Sequence, residues 1–260
     1  DIARCSLGKS GEFYSEELLH QMFGVNAELL IDHAWGYEPC TIAQIRAYKP
    51  QSSSLGCGQV LPCPYTADKA RIVVQEMIDG ISLELVEKRL VTDQLVLTVG
   101  YDIENLTRPE IRKVYKGPVT TDRYGRRVPK HAHGTWNLPR ATSSSSELLE
   151  AMAALYDKIV NPALLIRRMS LSACHVVNEK MAKEREQKET FEQLDLFTDY
   201  AKKEAKEKEE QKKRERERRM QEALLTIKKK YGKNAVLRGM SFEEGATAKE
   251  RNGQIGGHQA

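Results

Sequence analysis

The sequence predicts an α+β protein built around a four-stranded βαββαβ domain with two helices on one face. Three observations predict it. Residues 94–102, QLVLTVGYD, alternate, with Leu95, Leu97, Val99 and Tyr101 on one side, the period-two pattern of a half-buried strand. Two stretches carry apolar stripes at helical spacing: Ala70, Val73, Met77 and Ile81 in one, Leu148, Met152, Leu155 and Ile159 in the other. Extended segments flank these helices, so that strand and helix alternate as in a split βαβ arrangement, with the opposite sheet face left open.

Taken in order, residues 15–36 read as two short helices broken at Gly24. Leu18, Leu19 and Met22 form one stripe, and Leu29, Leu30, His33 and Ala34 another. Asp1 runs straight into an apolar pattern without an initiating Met, which suggests a chain cut from something longer. Residues 37–51 hold two prolines and little periodicity, and read as a linker. SSSLGCGQVL (52–61) has strand character, and PCPY is expected to stop it. Thr66 is a suitable N-cap for a helix to about Leu90. After the 94–102 strand and a basic segment, HAHGTWNLPRATSS supplies a second extended piece. Ser144 with Glu147 forms a capping-box pattern, and Asn161-Pro162 ends the helix it opens. In LLIRRMSLSACHVV (164–177), Met169, Leu171 and Ala173 alternate against Arg168, Ser170 and Ser172, a strand with one polar face. Residues 179–221 are mostly Glu, Lys, Arg and Gln and read as a solvated helix or helix-prone tail, and the last stretch promises little regular structure. The domain division is therefore 1–36, 37–51, 52–178 and 179–260.

Among the 260 residues, 40% are hydrophobic and 30% charged, enough for one core plus extra segments. No run of eighteen apolar residues and no signal-peptide pattern occurs, so a cytoplasmic protein with no membrane partner is expected. Five cysteines without a CxxC pair argue against a disulfide framework and a zinc site. The net charge of +4 hides its distribution. Lys202 to Arg219 holds ten Lys or Arg against six Glu; Arg108 to Arg140 holds nine against only Glu110 and Asp122. The second surplus is a candidate phosphate-binding surface.

Within the charged tail stands QLDLF, residues Gln193, Leu194, Asp195, Leu196 and Phe197. A solvated helix gains nothing by exposing Leu and Phe. A short extended segment of this kind suits docking into a preformed apolar groove on a partner. His131 and His133 lie two apart on one side of a strand but have no third ligand nearby, so no metal site is expected. Trp136 and Tyr124 fall in the basic segment, and sheet packing is the favoured role for the tryptophan.

QLDLF resembles the bacterial sliding-clamp binding motif. With it, the chain resembles the C-terminal part of a bacterial Y-family translesion DNA polymerase of the ImpB/MucB/SamB, UmuC-like kind. DIA and FGVNAELLIDHAWG resemble the end of that family's thumb. SSSLGCGQVL, TTDRYGRRVPKHAHGTWNLPRATSS and LLIRRMSLSA resemble strands of its little finger, and KKKYGKNAVLRGM and ERNGQIGGH resemble the tail of its Gram-positive branch. The resemblance implies a little-finger domain that holds damaged primer-template DNA and a tail that docks on the β sliding clamp, in an SOS-type damage response. It also implies that Mg²⁺ belongs to a palm domain whose Asp-Glu pair this chain lacks, so that the chain alone would not polymerise DNA. The alternatives are a stand-alone clamp-associated DNA-binding protein, or a structural or RNA-binding adaptor that uses the charged helix as a spacer.

Combining the polar strand faces with the basic surplus, the expected DNA contacts are Ser52, Ser53, Ser54, Lys130, His133, Thr135, Arg140, Thr142, Arg167 and Arg168. The serines and the residues from Lys130 to Thr142 are assigned to the open face with one of the two adjacent arginines, and strand alternation favours Arg168 over its neighbour Arg167.

Overall fold

The computed structural model describes residues 1–48, 53–122, 124–189, 200–255 and 258–259. It divides into two compact units, Asp1–Gln51 and Ser52–Ala260.

The first unit contains four short helices, α1 (Ile2–Cys5), α2 (Glu16–Phe23), α3 (Asn26–Ala34) and α4 (Ile42–Ala47). Its buried core is small: Cys5, Leu19 and Ala27, with Ile2 and Ile31 packed against them. Met22 and Leu29, expected on apolar stripes, are exposed, because α2 reaches that core through Leu19 and α3 through Ala27 and Ile31. The expected linker contains α4, which starts in a complete capping box. The Thr41 hydroxyl accepts from the Gln44 amide at 3.3 Å, and the Thr41 amide donates to Gln44 Oε1 at 2.8 Å.

In the second unit, β1 (Leu55–Tyr65), α5 (Ala67–Lys88), β2 (Leu90–Tyr101), β5 (Ala132–Thr142), α8 (Ser145–Ile159) and β6 (Ile166–Cys174) supply the βαββαβ framework. Between β2 and β5 lie two short helices, α6 (Glu104–Thr107) and α7 (Pro109–Val114), and a hairpin of β3 (Val119–Thr121) and β4 (Arg127–Pro129). The main sheet is antiparallel in the order β1-β6-β2-β5, and β7 (Val177–Asn178) pairs with the start of β2. Each crossover helix thus joins two like-directed strands with one antiparallel strand between them: α5 passes over β6, and α8 over β2. Leu95, Leu97 and Val99 of β2, Met169, Leu171 and Ala173 of β6, and the helix stripes of Val73, Met77, Ile81, Leu148, Met152 and Leu155 close the core on that face.

Several local expectations are corrected. β1 continues through Pro62 and Pro64 to Tyr65, with a register shift after Val60. A proline is tolerated there because β1 is an edge strand and its missing N–H has no ladder to break. Thr66 stands at the N-cap of α5 with extended backbone, but its hydroxyl makes no capping bond. At α8 the Ser144 hydroxyl accepts from the Glu147 amide at 3.2 Å, while the Glu147 carboxylate turns away to Arg140 and Arg214.

The largest correction is the tail. After α9 (Glu179–Glu189), α10 (Tyr200–Tyr231) packs on α5 and on the start of α8. Its sheltered positions, Arg214, Glu217, Arg218, Gln221, Leu224, Leu225 and Lys228, recur at helical spacing and form one stripe. Gln221 is 2% exposed and donates to the Ser143 carbonyl at 3.0 Å and to Ser145 Oγ at 2.8 Å. Glu217 accepts from Ser144 Oγ at 2.6 Å, the Ser146 amide at 2.8 Å and Ser146 Oγ at 2.9 Å. Its carboxylate therefore sits on the Ser146 amide in the first turn of α8, where the helix dipole favours negative charge. Beyond α10, Arg238 pairs with Asp79 at 2.7 Å and Glu244 with Lys69. Glu76 accepts from the amides of Thr247 and Ala248 at 2.8 and 3.0 Å, at the start of α11 (Ala248–Arg251). The stretch expected to lack regular structure is thus fastened along the outer side of α5.

Candidate nucleic-acid interface on the open sheet face

Opposite the helices, the four strands present side chains in aligned rows. Cys174, Gln94 and Asn137 form one row; Gly56, Ser172, Val96 and Thr135 a second; Gly58, Ser170, Thr98 and His133 a third; Val60, Arg168 and Gly100 a fourth. No carboxylate belongs to these rows. Polar pairs cross them: Gln94 Nε2 donates to Asn137 Oδ1 at 3.0 Å, and Thr98 Oγ1 lies 2.9 Å from His133 Nδ1. In the two middle rows Gly56, Gly58, Ser170, Ser172, Thr98 and Thr135 are short, so backbone and hydroxyl groups lie near the surface there, where a polymer of phosphates can approach them.

Arg168 lies on this face and is exposed. Its side chain runs flat over Gly100: a Cβ at that glycine would stand 2.6 Å from Arg168 Cγ and 2.7 Å from Nε. The glycine therefore makes room for the arginine. Arg167 has another position. On β2, Gly100 pairs with Arg168 and Tyr101 with Ile166, so Arg167 is the extra residue of a bulge. The bulge lets Ile166 and Met169, three residues apart, both face the core. Arg167 lies 3.8 Å from Asp102. The alternation that favours Arg168 over Arg167 agrees with this geometry.

The remaining expected contacts divide. His133 and Thr135 are exposed on the open face. Ser54 is exposed beside its edge; Ser53 bonds to the Val176 carbonyl and ties β1 to the end of β6. Arg140 and Thr142 do not belong to the open face. β5 shifts register against β2 between Asn137 and Thr142, and the contacts of the two side chains place them on the helix side. Arg140 is paired with Glu147, and Thr142 is buried with its hydroxyl accepting from the Ser144 amide at 3.1 Å. Lys130 lies before the start of β5 and borders a shallow cavity of about 270 Å³, also lined by Tyr101, Tyr115 and His131, and not the open face. Ser52 and the segment Gln193, Leu194, Asp195, Leu196 and Phe197 lie outside the described residues.

The basic surplus of 108–140 is partly neutralised. Arg108 pairs with Glu104 at 2.5 Å and Arg126 with Asp122 at 2.8 Å. The Arg126 backbone amide, with the Tyr124 amide and the Arg126 guanidinium, holds the Asp122 carboxyl below its usual range. Trp136 packs against the core on the helix side, as favoured, while Tyr124 is exposed with the Arg126 guanidinium 5.0 Å from its ring centre. Cys57 faces the helices, and burial pushes its thiol up to about 11, so it carries no reactive thiolate. Among the described residues no three His, Cys, Asp or Glu side chains group as metal ligands, and no helix is long and apolar enough to cross a membrane.

Sequence reasoning left Gln94, Thr98, Asn137 and Gly100 out of the site. Their signal was present: they occupy the alternate positions to Leu95, Leu97 and Val99, or the matching row of β5.

No protein-family model and no curated protein matches this chain.

Proposed function

We propose that the domain of residues 52–178 holds primer-template DNA by its sugar-phosphate backbone on the open sheet face. In this reading it is the little finger of a Y-family translesion DNA polymerase of the ImpB/MucB/SamB kind. Gln193 to Phe197 tether it to a sliding clamp, and the first unit is the end of the thumb. The observation that carries the reading is the open face: rows rich in Gly, Ser, Thr and amide side chains without a carboxylate, with Arg168 laid across Gly100. Such a surface binds phosphate without reading bases. The β1-β6-β2-β5 order with two split crossovers is compatible with a little finger, and QLDLF supports the clamp tether by its sequence alone.

The contact set is Arg168, His133, Thr135, Ser54, Ser170, Ser172 and Thr98. Arg140 and Thr142 are withdrawn from it. Anisotropy titrations of a primer-template with the wild type and Arg168→Ala, across a salt series, test the proposal. The variant should bind more weakly by a similar factor on unrelated sequences, with about 0.9 removed from the slope of log K against log salt. Equal affinity and slope would remove the open face from DNA binding. Clamp binding is tested separately. The chain should bind a purified clamp in the micromolar range, about −8 kcal/mol, and Leu196→Ala with Phe197→Ala should abolish it.

A further inference from the structure

The charged helix α10 sorts its charges by face. Glu217 is turned inward onto the start of α8, Glu210 pairs with Arg214 at 3.3 Å, and Glu222 with Arg218 at 3.0 Å. Arg214 and Arg218 also reach inward, to Glu147 and Glu179, both at 3.3 Å. Opposite the docked stripe, Lys212, Arg216, Arg219 and Lys230 follow one another along the outermost line. All four are exposed, and none makes an ion pair among the described residues; Lys230 lies 5.2 Å from the Tyr231 ring centre. Glu209, Glu215 and Glu222 flank this line without entering it.

A helix stabilised only by its own surface pairs would scatter acids and bases around its circumference. Docking of α10 instead draws Glu217 to the protein side and leaves a ridge of cations. At 1.5 Å per residue Lys212 to Arg219 spans about 10 Å, and Lys230 stands about 17 Å farther along the same line. The direction of the ridge is fixed by the docked side: it points away from the end of α5 and the start of α8, where Arg218, Lys229 and Glu217 make their contacts. The contacts of Glu217, Arg218, Gln221 and Lys229 reach no open-face row, so the ridge and the open face are separate surfaces of the domain.

We propose that the outer ridge of α10 is a second, sequence-independent site for a nucleic-acid phosphate backbone. It acts on a strand or duplex other than the one held by the sheet. Lys212, Arg216 and Arg219 are its principal contacts. The chemistry is charge complementarity with release of counterions, which needs no apolar contact and no base readout. The site does not depend on the open face being the primary DNA surface.

The test is the triple variant Lys212→Glu, Arg216→Glu and Arg219→Glu, with a Gln version in parallel. Glu and Gln are about as good helix formers as Lys and Arg, and the positions are solvent-facing, so circular dichroism should be unchanged. If the Glu variant fails to fold, the Gln variant carries the test. At low salt the wild type should take up two short duplexes and the variant one. Three phosphate contacts should remove about 2.7 from the slope of log K against log salt for the second binding event. Unchanged stoichiometry and slope overturn the proposal. So does unchanged oligonucleotide binding with loss of binding to vesicles of anionic lipid, which would assign the ridge to a membrane surface. Arg168→Ala separates the two sites. If it has no effect while the triple variant loses a duplex, the open-face reading falls and the ridge stands.

Discussion

Replacing Glu217 by Ala tests whether α10 is a structural layer or a solvated spacer. The side chain reaches the first turn of α8 from outside that helix, and it accepts from Ser144 Oγ, the Ser146 amide and Ser146 Oγ. Losing a side-chain acceptor at a helix start costs about 0.5–2 kcal/mol, and losing the negative charge there about 0.3–1 kcal/mol more. The Ser144 hydroxyl still caps the Glu147 amide, so the helix start is not stripped entirely. A loss of about 2 kcal/mol is therefore expected for Glu217→Ala, and about half of that for Glu217→Gln, which keeps the shape and an acceptor oxygen. Urea unfolding followed by circular dichroism gives the stability change, and amide exchange across residues 211–228 reports the docking. Exchange should accelerate in α10 and in the first turn of α8 together. Stability within about 0.5 kcal/mol of wild type, with α10 protection unchanged, would refute the reasoning and return the helix to solvent.

Two further outcomes follow from the geometry. Gly100→Ala puts a Cβ 2.6 Å from Arg168 Cγ; because the neighbour is a flexible side chain, the fold should survive while Arg168 is displaced. Its duplex affinity should then fall like that of Arg168→Ala, and wild-type affinity with unchanged stability would contradict the proposed position of the arginine. Arg71 donates twice to Asp157, at 2.9 Å from both Nε and Nη2, and holds the Asp157 carboxyl below its ordinary 3.8. A lowered folded value stabilises the protein above the unfolded value and ceases to do so as pH falls through the folded one. Asp157→Asn should therefore cost less than about 1 kcal/mol at neutral pH, since the pair is exposed. The gap to wild type should close below about pH 4; a gap that persists in acid would assign the cost to packing.

The framework strands and helices were legible because their burial follows a fixed period. Leu95, Leu97 and Val99 alternate, and Ala70, Val73, Met77 and Ile81 repeat at helical spacing, as they must to reach one core from one side. Half of the site was legible for the same reason: Arg168, Ser170 and Ser172 are the complement of Met169, Leu171 and Ala173. Arg140 and Thr142 were misassigned because membership of the basic segment was taken as membership of the open face. The register shift of β5 before Thr142 was not readable, nor was the partner that neutralises Arg140, since Glu147 acquires that role only when α8 folds back along β5.

By itself the sequence determined the α+β class, the order of the main strands and helices, and which side of each faces the core, because period and apolar content report burial directly. Only the tertiary structure decided the bulge at Arg167, the bed for Arg168 on Gly100, and the docking of α10. The physical reason is common to all three. They rest on register and on polar contacts between residues far apart in the chain, such as Glu217 with Ser146 and Gln221 with Ser145. Contacts of that kind leave no apolar repeat, so a docked charged helix and a solvated one read alike until their partners are brought beside them.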